Sequence, residues 1–495
     1  MNGLELIQAD NPYREPLGSY IDLAKMPERL LDDPLDGIDC RALHESERRL
    51  LLKQSRTRFE PTRSSIAIAS TLQDMLWGRV TLSNPLLPAN RHRVTQVLSK
   101  RGQSLTDVGS SLPTFADALI VTGCTGMGKT TTINRYLSLI SQTHVHERRD
   151  DADWTRQVQI TYLVVAMPVH RGGLLYSILS AIDVAIGSDY RVRYGDHRRW
   201  PIEKLAVEVA IILVQHAVGL LVIEEIQARN FGASPNREEM LLFILRILNF
   251  GTPVVLVGNP LGFVGLESFT QDVNRLSENE PIHLMPVDAT DPDWTKGLGP
   301  GMWSHNVMPQ PTPWSTDISD LLYAASAAIP GFTRKAVDAV QLLALAAGEK
   351  SVGADHLRRY MAESDTFAMH RDLIEGFAQK DSSKLIPFQD VPWEEYGLQW
   401  GKLSLADIAD APADGAQSVE GNLPPGEQRA LQSVHARVRA QARAQLTRAK
   451  KKAGRAERES KEGATAVSDA LARGLDDLKR SIGAKGAKRT APEQA

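Results

Sequence analysis

Gly123-Cys-Thr-Gly-Met-Gly-Lys-Thr130 fits the pattern G-x-x-x-x-G-K-[ST] without a mismatch. It follows the apolar stretch Ala118-Leu-Ile-Val-Thr122 and precedes residues 131–141, where Ile133, Leu137 and Ile140 recur at helical spacing. Strand, glycine-rich loop and helix come in the order that a triphosphate site requires. The glycines let the backbone curl so that amide N–H groups face phosphate oxygens at the helix N-terminus, and Lys129 adds a charge near the β/γ-phosphates. The Thr130 hydroxyl is placed for Mg²⁺. The nucleotide-binding candidates are therefore Gly123, Cys124, Thr125, Gly126, Met127, Gly128, Lys129, Thr130 and Thr131.

The 495 residues allow roughly two to four domains. A hydrophobic content of 42% supplies a sizeable core and excludes a disordered chain. Only Cys40 and Cys124 occur, one of them inside the glycine-rich loop, which fits a reducing cytosol rather than a disulfide scaffold. The first residues, MNGLELIQADNPYREP, have neither a basic n-region nor an apolar h-region. The longest apolar stretch, 205–223, is interrupted by Glu208, Gln215, His216 and Gly219, so it reads as buried helix then strand rather than a membrane span. Net charge is only -3, yet residues 428–456 carry nine arginines and lysines and no acid. The tail is a separate electrostatic object.

A second anchor lies at Gly219-Leu-Leu-Val-Ile-Glu224-Glu225, a branched apolar run ending in two acids, as expected of a buried strand with carboxylates at its C-terminal edge. In such a pair the first acid serves the Mg²⁺ side and the second polarises the attacking water. Glu224 stands where an aspartate is usual; its extra methylene displaces the carboxylate by about one bond length, so slow hydrolysis is expected. Around it, 159–165 and 253–258 read as strands, and 174–186, 202–216 and 238–250 as helices. The alternation predicts an α/β fold whose parallel sheet is covered on both faces, with ligands at the carboxyl ends of the strands. Asn259 ends one of those strands and is a candidate for holding the lytic water or sensing the γ-phosphate; it is also an ordinary turn residue before Pro260. Arg275 precedes a further strand-like segment, 281–287, where an arginine can point across a subunit interface. From about Ser315, residues 317–328 and 333–347 read as alanine- and leucine-rich helices. Gly331-Phe-Thr-Arg334 sets an arginine in the first turn of the second, able to reach the γ-phosphate.

Phosphate loop, paired acids, strand-end asparagine, Arg275 and Gly-x-x-Arg334 together resemble the AAA+ ATPases, and within them the TnsC/TniB-type transposition regulators, relatives of MuB. The resemblance spans about residues 80–380. It rests on TYLVVAMPVHRGGLLYSILSAID, LLVIEEIQ, TPVVLVGNP and LMPVDATDPDW, which follow the loop in that order. It implies a P-loop AAA+ sheet flanked by helices, a small helical lid, and extended terminal segments. ATP and Mg²⁺ are the implied cofactors, with Glu225, Glu224, Asn259, Arg275 and Arg334 as the catalytic set and Thr130 and Glu224 on the metal. The family assembles head to tail on duplex DNA with ATP bound, links a target-selection protein to transposase subunits, and is released by hydrolysis. A bacterial cytosolic, DNA-associated setting follows from the same resemblance. Glu224 for aspartate, and Asn259 where many members have threonine, are departures.

DNA contact of that kind needs basic residues along phosphates and carries little sequence information. His170, Arg171, Arg191, Arg193, Arg198 and Arg199 are the candidates. The expected organisation is an N-terminal extension over 1–80 for targeting-protein or DNA contact, a nucleotide-binding domain over 81–300 and a lid over 315–380. An irregular docking segment over 381–425 and the basic, alanine-rich tail over 426–495 complete it. Two other classes stay open: a replication initiator or helicase loader, and a nucleotide-switched signalling NTPase. The first normally adds a helix-turn-helix unit after the lid, and the second a repeat array, and neither is legible here.

Overall fold

The computed structural model describes residues 3–54, 57–104, 116–147, 157–196, 198–232, 234, 237–264, 276, 278–388, 390–410, 432–434, 436–448 and 451. Contacts divide the chain into two units, one of residues 1–402 with 413–437 and one of 403–412 with 438–495.

The first unit is built on a five-stranded parallel sheet. Its strands are β1 (Ala118–Gly123), β4 (Tyr162–Ala166), β5 (Leu220–Ile226), β6 (Val254–Gly258) and β7 (Ile282–Leu284), in the order β4-β5-β6-β1-β7. A separate antiparallel pair joins β2 (Thr143–His146) to β3 (Gln157–Ile160). This is the P-loop AAA+ sheet with helices on both faces. Successive side chains of a strand point to opposite faces. Leu119, Val121, Leu220, Val222, Val255 and Val257 accordingly enter one core, and Ala118, Leu221, Ile223, Val254 and Leu256 the other. The first face is covered by α1 (Arg63–Leu82), through Ile68, Leu72 and Leu76, and by α3 (Lys129–Leu137), through Ile133 and Tyr136. The second is covered by α4 (Arg171–Ile186), α5 (Ile202–Gln215) and α6 (Arg237–Phe250). The short α2 (Pro88–Leu98) adds Val97 to that face.

Two strand expectations change. The run 159–165 is not one strand. It breaks at Thr161, whose amide donates to the Gln142 carbonyl at 2.7 Å, so 157–160 leaves to pair with β2 while 162–166 stays in the sheet. The segment 281–287 contributes only three residues to the sheet, because β1 offers it partners only at Val121, Thr122 and Gly123.

After the sheet come α7 (Thr316–Ser326), α8 (Pro330–Ala346), α9 (Ala354–Glu363) and α10 (Asp365–Ala378). Ser315 caps α7 by accepting from the Ile318 amide, and Ser364 caps α10 through Phe367. Ala327 and Ala328, both at positive φ, turn the chain into Pro330 at the start of α8. Residues 3–54 are not a free extension: Met26 and Leu30 are fully buried in the core that includes α1. Several basic residues of the first 80 are paired internally. The buried Arg58 pairs with Asp33 and Glu60, Arg63 pairs with Asp291 and Asp293, and Arg48 donates to the Cys40 carbonyl.

Beyond α10 the chain forms one turn of 3₁₀ helix (Ser382–Leu385) and α11 (Trp393–Gln399). In the second unit, the helix Leu405–Asp410 buries Ile408 and receives a hydrogen bond from Arg443 Nε at the Ala409 carbonyl. Among the described residues no helix is long and apolar enough to cross a membrane.

Candidate nucleotide site

The loop between β1 and α3 owes its shape to backbone conformations open to glycine. Gly126 and Gly128 sit at φ of 90° and 81°, and a Cβ on Gly123 would lie 2.8 Å from the Leu284 carbonyl oxygen. Lys129 folds back over the loop, its Nζ donating to the carbonyls of Gly123 (2.7 Å) and Cys124 (3.0 Å) and lying 3.5 Å from Asn259 Oδ1. Burial pulls its ammonium below the usual lysine range, opposed by Cys124 and Asp390. Burial pushes the Cys124 thiol up to about 12, so it is an inert part of the loop.

Glu224 lies near Thr130, whose hydroxyl favours the ionised carboxylate. Burial raises this carboxyl above the ordinary glutamate range; Thr130 opposes the rise and the neighbouring Glu225 reinforces it. The Glu224 Oε1 atom is buried with no hydrogen-bond partner. A buried carboxylate oxygen lacking a donor, beside the hydroxyl that ends the phosphate loop, suits a divalent cation. Both oxygens are of the hard type that Mg²⁺ prefers.

Glu225 reaches the cavity because the strand is bulged. The β5–β6 register shifts between Ile223 and Ile226, and Glu225 takes φ +58°, left-handed for a residue with a Cβ. Such a conformation costs about 1–2 kcal/mol and needs local support. Asn230 supplies it: Nδ2 donates to the carbonyls of Glu225 (2.7 Å) and Met167 (3.0 Å), and Oδ1 accepts from the Gln227 amide at 2.8 Å. Gly258 supplies room, since a Cβ there would stand 2.1 Å from the Ile226 carbonyl oxygen.

The lid helix is pinned to the loop by the Gly331 amide, which donates to the Gly126 carbonyl at 2.9 Å, with Ile329 packed over Gly126. With Pro330 opening α8, Arg334 is the fifth helical residue rather than a first-turn one, and Asp338 one turn on holds its guanidinium at 3.1 Å. A cavity of about 480 Å³ gathers these groups: residues 125–132, Glu225, Asn259, Gly331 and Arg334 line it. Its remaining wall includes Arg58, Glu60 and Thr62. The segment expected to make outside contacts therefore also walls the candidate site.

Three contributions were not legible in the sequence. Asn230 carries no motif. Asp390 lies in the segment read as irregular, yet its Oδ2 accepts from Thr125 Oγ1 of the loop at 2.6 Å and lies 3.4 Å from Asn259 Nδ2. Gly258 could have been noticed as a glycine beside a strand end, but only the bulge gives it a reason.

The other candidates separate. Arg275 lies outside the described residues. Arg171 is committed to an ion pair with Glu203, Arg191 stacks 4.1 Å over the Tyr176 ring, and Arg193 pairs with Asp189. His170, Arg198 and Arg199 are exposed. Asp293 receives Arg63 of α1, and Trp294 is fully buried, its Nε1 donating to Ser319 Oγ. The acid-tryptophan pair after β7 thus joins α1 to the lid.

Among solved structures, the chain is similar to the Aeropyrum pernix ORC2 protein in its ADP form, at 15% identity over 70% of this chain and 92% of that chain, with a TM-score of 0.33. The Aeropyrum pernix ORC1 protein in complex with DNA aligns at 17% identity over 68% and 82%, with a TM-score of 0.34. Domain III of the Thermotoga maritima replication initiation protein DnaA aligns at 12% identity over 56% and 92%, with a TM-score of 0.28. No curated protein matches the sequence. Residues 116–266, from the start of β1 to just beyond β6, match the family model described as AAA domain, so this part of the chain is an AAA domain, a P-loop nucleotide-binding fold.

Proposed function

We propose that the protein is an ATP-dependent, DNA-binding regulator of DNA transposition. In this reading it oligomerises on target DNA, links a target-selection protein to transposase subunits, and is released by slow ATP hydrolysis. The observation that carries the nucleotide half of this reading is the convergence of the phosphate loop, Glu225, Asn259 and Arg334 on one cavity, with Glu225 delivered by a supported bulge. The DNA and transposition half rests on the succession of sequence phrases after the loop that resembles the TnsC/TniB-type regulators.

Within the cavity the loop amides and Lys129 would hold the phosphates, Lys129 leaving the carbonyls of Gly123 and Cys124 to do so. Thr130 and Glu224 would hold Mg²⁺, which when bound neutralises phosphate charge. Glu225 would accept a proton from the attacking water, and Asn259 would orient that water. Arg334, steered by Asp338, would report the γ-phosphate to the lid through α8. Arg275 is proposed to act across the interface with a neighbouring protomer. The exposed His170, Arg198 and Arg199, with Arg191 and Arg193, would contribute to phosphate-backbone contact, whereas Arg171 is neutralised by Glu203.

The test is electron microscopy of wild type and Lys129→Ala with duplex DNA and ATP. Wild type should form ATP-dependent rings or filaments and the variant none, because assembly requires the occupied site. Variant assemblies equal to wild type would refute the proposal.

A further inference from the structure

We infer that Asp390 is a built-in competitor for the γ-phosphate, so that the site distinguishes ATP from ADP by whether Asp390 and the segment carrying it must leave. The inference rests on the nucleotide-site reading above and deepens it.

The phosphate loop is a cradle for anions, and the structure already presents one to it from within the chain. Asp390 Oδ2 is within hydrogen-bonding distance of two groups at the mouth of the cradle: the hydroxyl of Thr125, third residue of the loop, and the amide of Asn259 at the end of β6. The same Asn259 faces Lys129 through Oδ1. Asp390 thus lies on the Lys129 side of the site, where the β/γ-phosphates belong. ADP ends at the β-phosphate and leaves this corner to Asp390. ATP brings further negative charge to it, and two anions sharing one set of donors repel each other strongly away from bulk water.

Displacing Asp390 has structural consequences because its neighbours dock on the same side of the sheet. Six residues on, Tyr396 is buried in α11, its hydroxyl 3.2 Å from His283 Nε2 on β7. His283 in turn contacts Thr122 Oγ1, at the end of the strand that feeds the loop, through Nδ1 at 2.7 Å. Tyr396 stacks on Trp400 and both meet Phe377 of α10. Residues 390–400 therefore form a clasp with a charged end at the phosphate loop and an aromatic end against β7 and the lid. The γ-phosphate opposes the charged end only, so ATP loosens the clasp and ADP leaves it closed.

The experiment uses the full chain and titrates fluorescent ADP and a fluorescent non-hydrolysable ATP analogue against wild type, Asp390→Asn and Asp390→Ala. In parallel, amide hydrogen exchange is followed over residues 390–400 of wild type with each nucleotide. Both variants should raise the affinity for the ATP analogue relative to ADP by about tenfold or more, equivalent to about 1.4 kcal/mol. In wild type, exchange in the clasp should rise with the ATP analogue and not with ADP. An affinity ratio within twofold of wild type in both variants, or a clasp equally protected by both nucleotides, would overturn the inference. Failure of wild type to bind either nucleotide would instead overturn the nucleotide-site reading beneath it. The hydrogen-exchange arm needs no variant and so stands even if a substitution impairs folding.

Discussion

Replacing Asn230 by alanine removes three hydrogen bonds at once, to the Glu225 and Met167 carbonyls and from the Gln227 amide, all at 2.7–3.0 Å. Asn230 is almost fully buried, so water cannot readily take over the bonds it makes. At about 1 kcal/mol net for each bond, the bulge loses about 3 kcal/mol of local support. It must still hold Glu225 at φ +58°, which alone costs about 1–2 kcal/mol. Part of the loss is recovered when the strand relaxes to an unbulged register. The geometry that offers Glu225 to the cavity should then become a minor state, lowering the rate of ATP hydrolysis by about 10- to 100-fold at 1.4 kcal/mol per factor of ten. Nucleotide affinity should change little, because the Asn230 side chain spends its hydrogen bonds on Glu225, Met167 and Gln227 rather than on the phosphate loop or the lid. Steady-state hydrolysis combined with nucleotide titration separates the two effects, and amide exchange over residues 225–232 reports the bulge directly. A variant that turns over within twofold of wild type, with unchanged exchange there, would show that the bulge stands without Asn230.

Glu225→Gln should retain ATP binding but slow hydrolysis by about 100-fold or more, since loss of a positioned general base removes about that factor. Its DNA assemblies should outlast those of wild type in time-resolved light scattering, and faster disassembly would exclude the assigned role. Arg79→Met should stabilise the fold at neutral pH. Arg79 is buried with Nε unpartnered, no carboxylate pairs with it among the described residues, and burial, aided by Arg93, lowers its guanidinium to about 10. Between pH 10 and its ordinary 12.5 the unfolded state would hold the proton that the folded state has lost, so its contribution to stability rises with pH across that window. Below it the full penalty applies, an upper bound of about 3 kcal/mol, of which about 1–2 should appear as a gain in the variant after relaxation. Calorimetry at pH 7 showing a lower melting temperature for the variant would contradict this.

Features that depend on neighbours along the chain were legible before any fold was known. The phosphate loop could be read because glycine at set positions, a lysine and a threonine each answer a local geometric demand. The core strands could be read because full burial on both faces demands unbroken branched residues, as in Leu220–Ile223 and Val254–Val257. Arg334 could be found from its spacing to Gly331, although the precise turn of helix it occupies depended on Pro330 opening α8. Local spacing failed where a partner distant in sequence decides the outcome. The run 159–165 looked continuous, and only its competing partners, β2 on one side and β5 on the other, split it at Thr161. Nothing near Arg58 and Arg63 in the sequence marks Asp33, Asp291 and Asp293 as their partners, and only folding brought these acids to them. Asn230 and Asp390 belong to no spacing rule, since each acts through contacts that tertiary structure alone creates. A motif records what the backbone must do over a few residues, whereas a carboxylate 265 residues away meets the loop only because the lid and the segment after it pack back onto the same edge of the sheet.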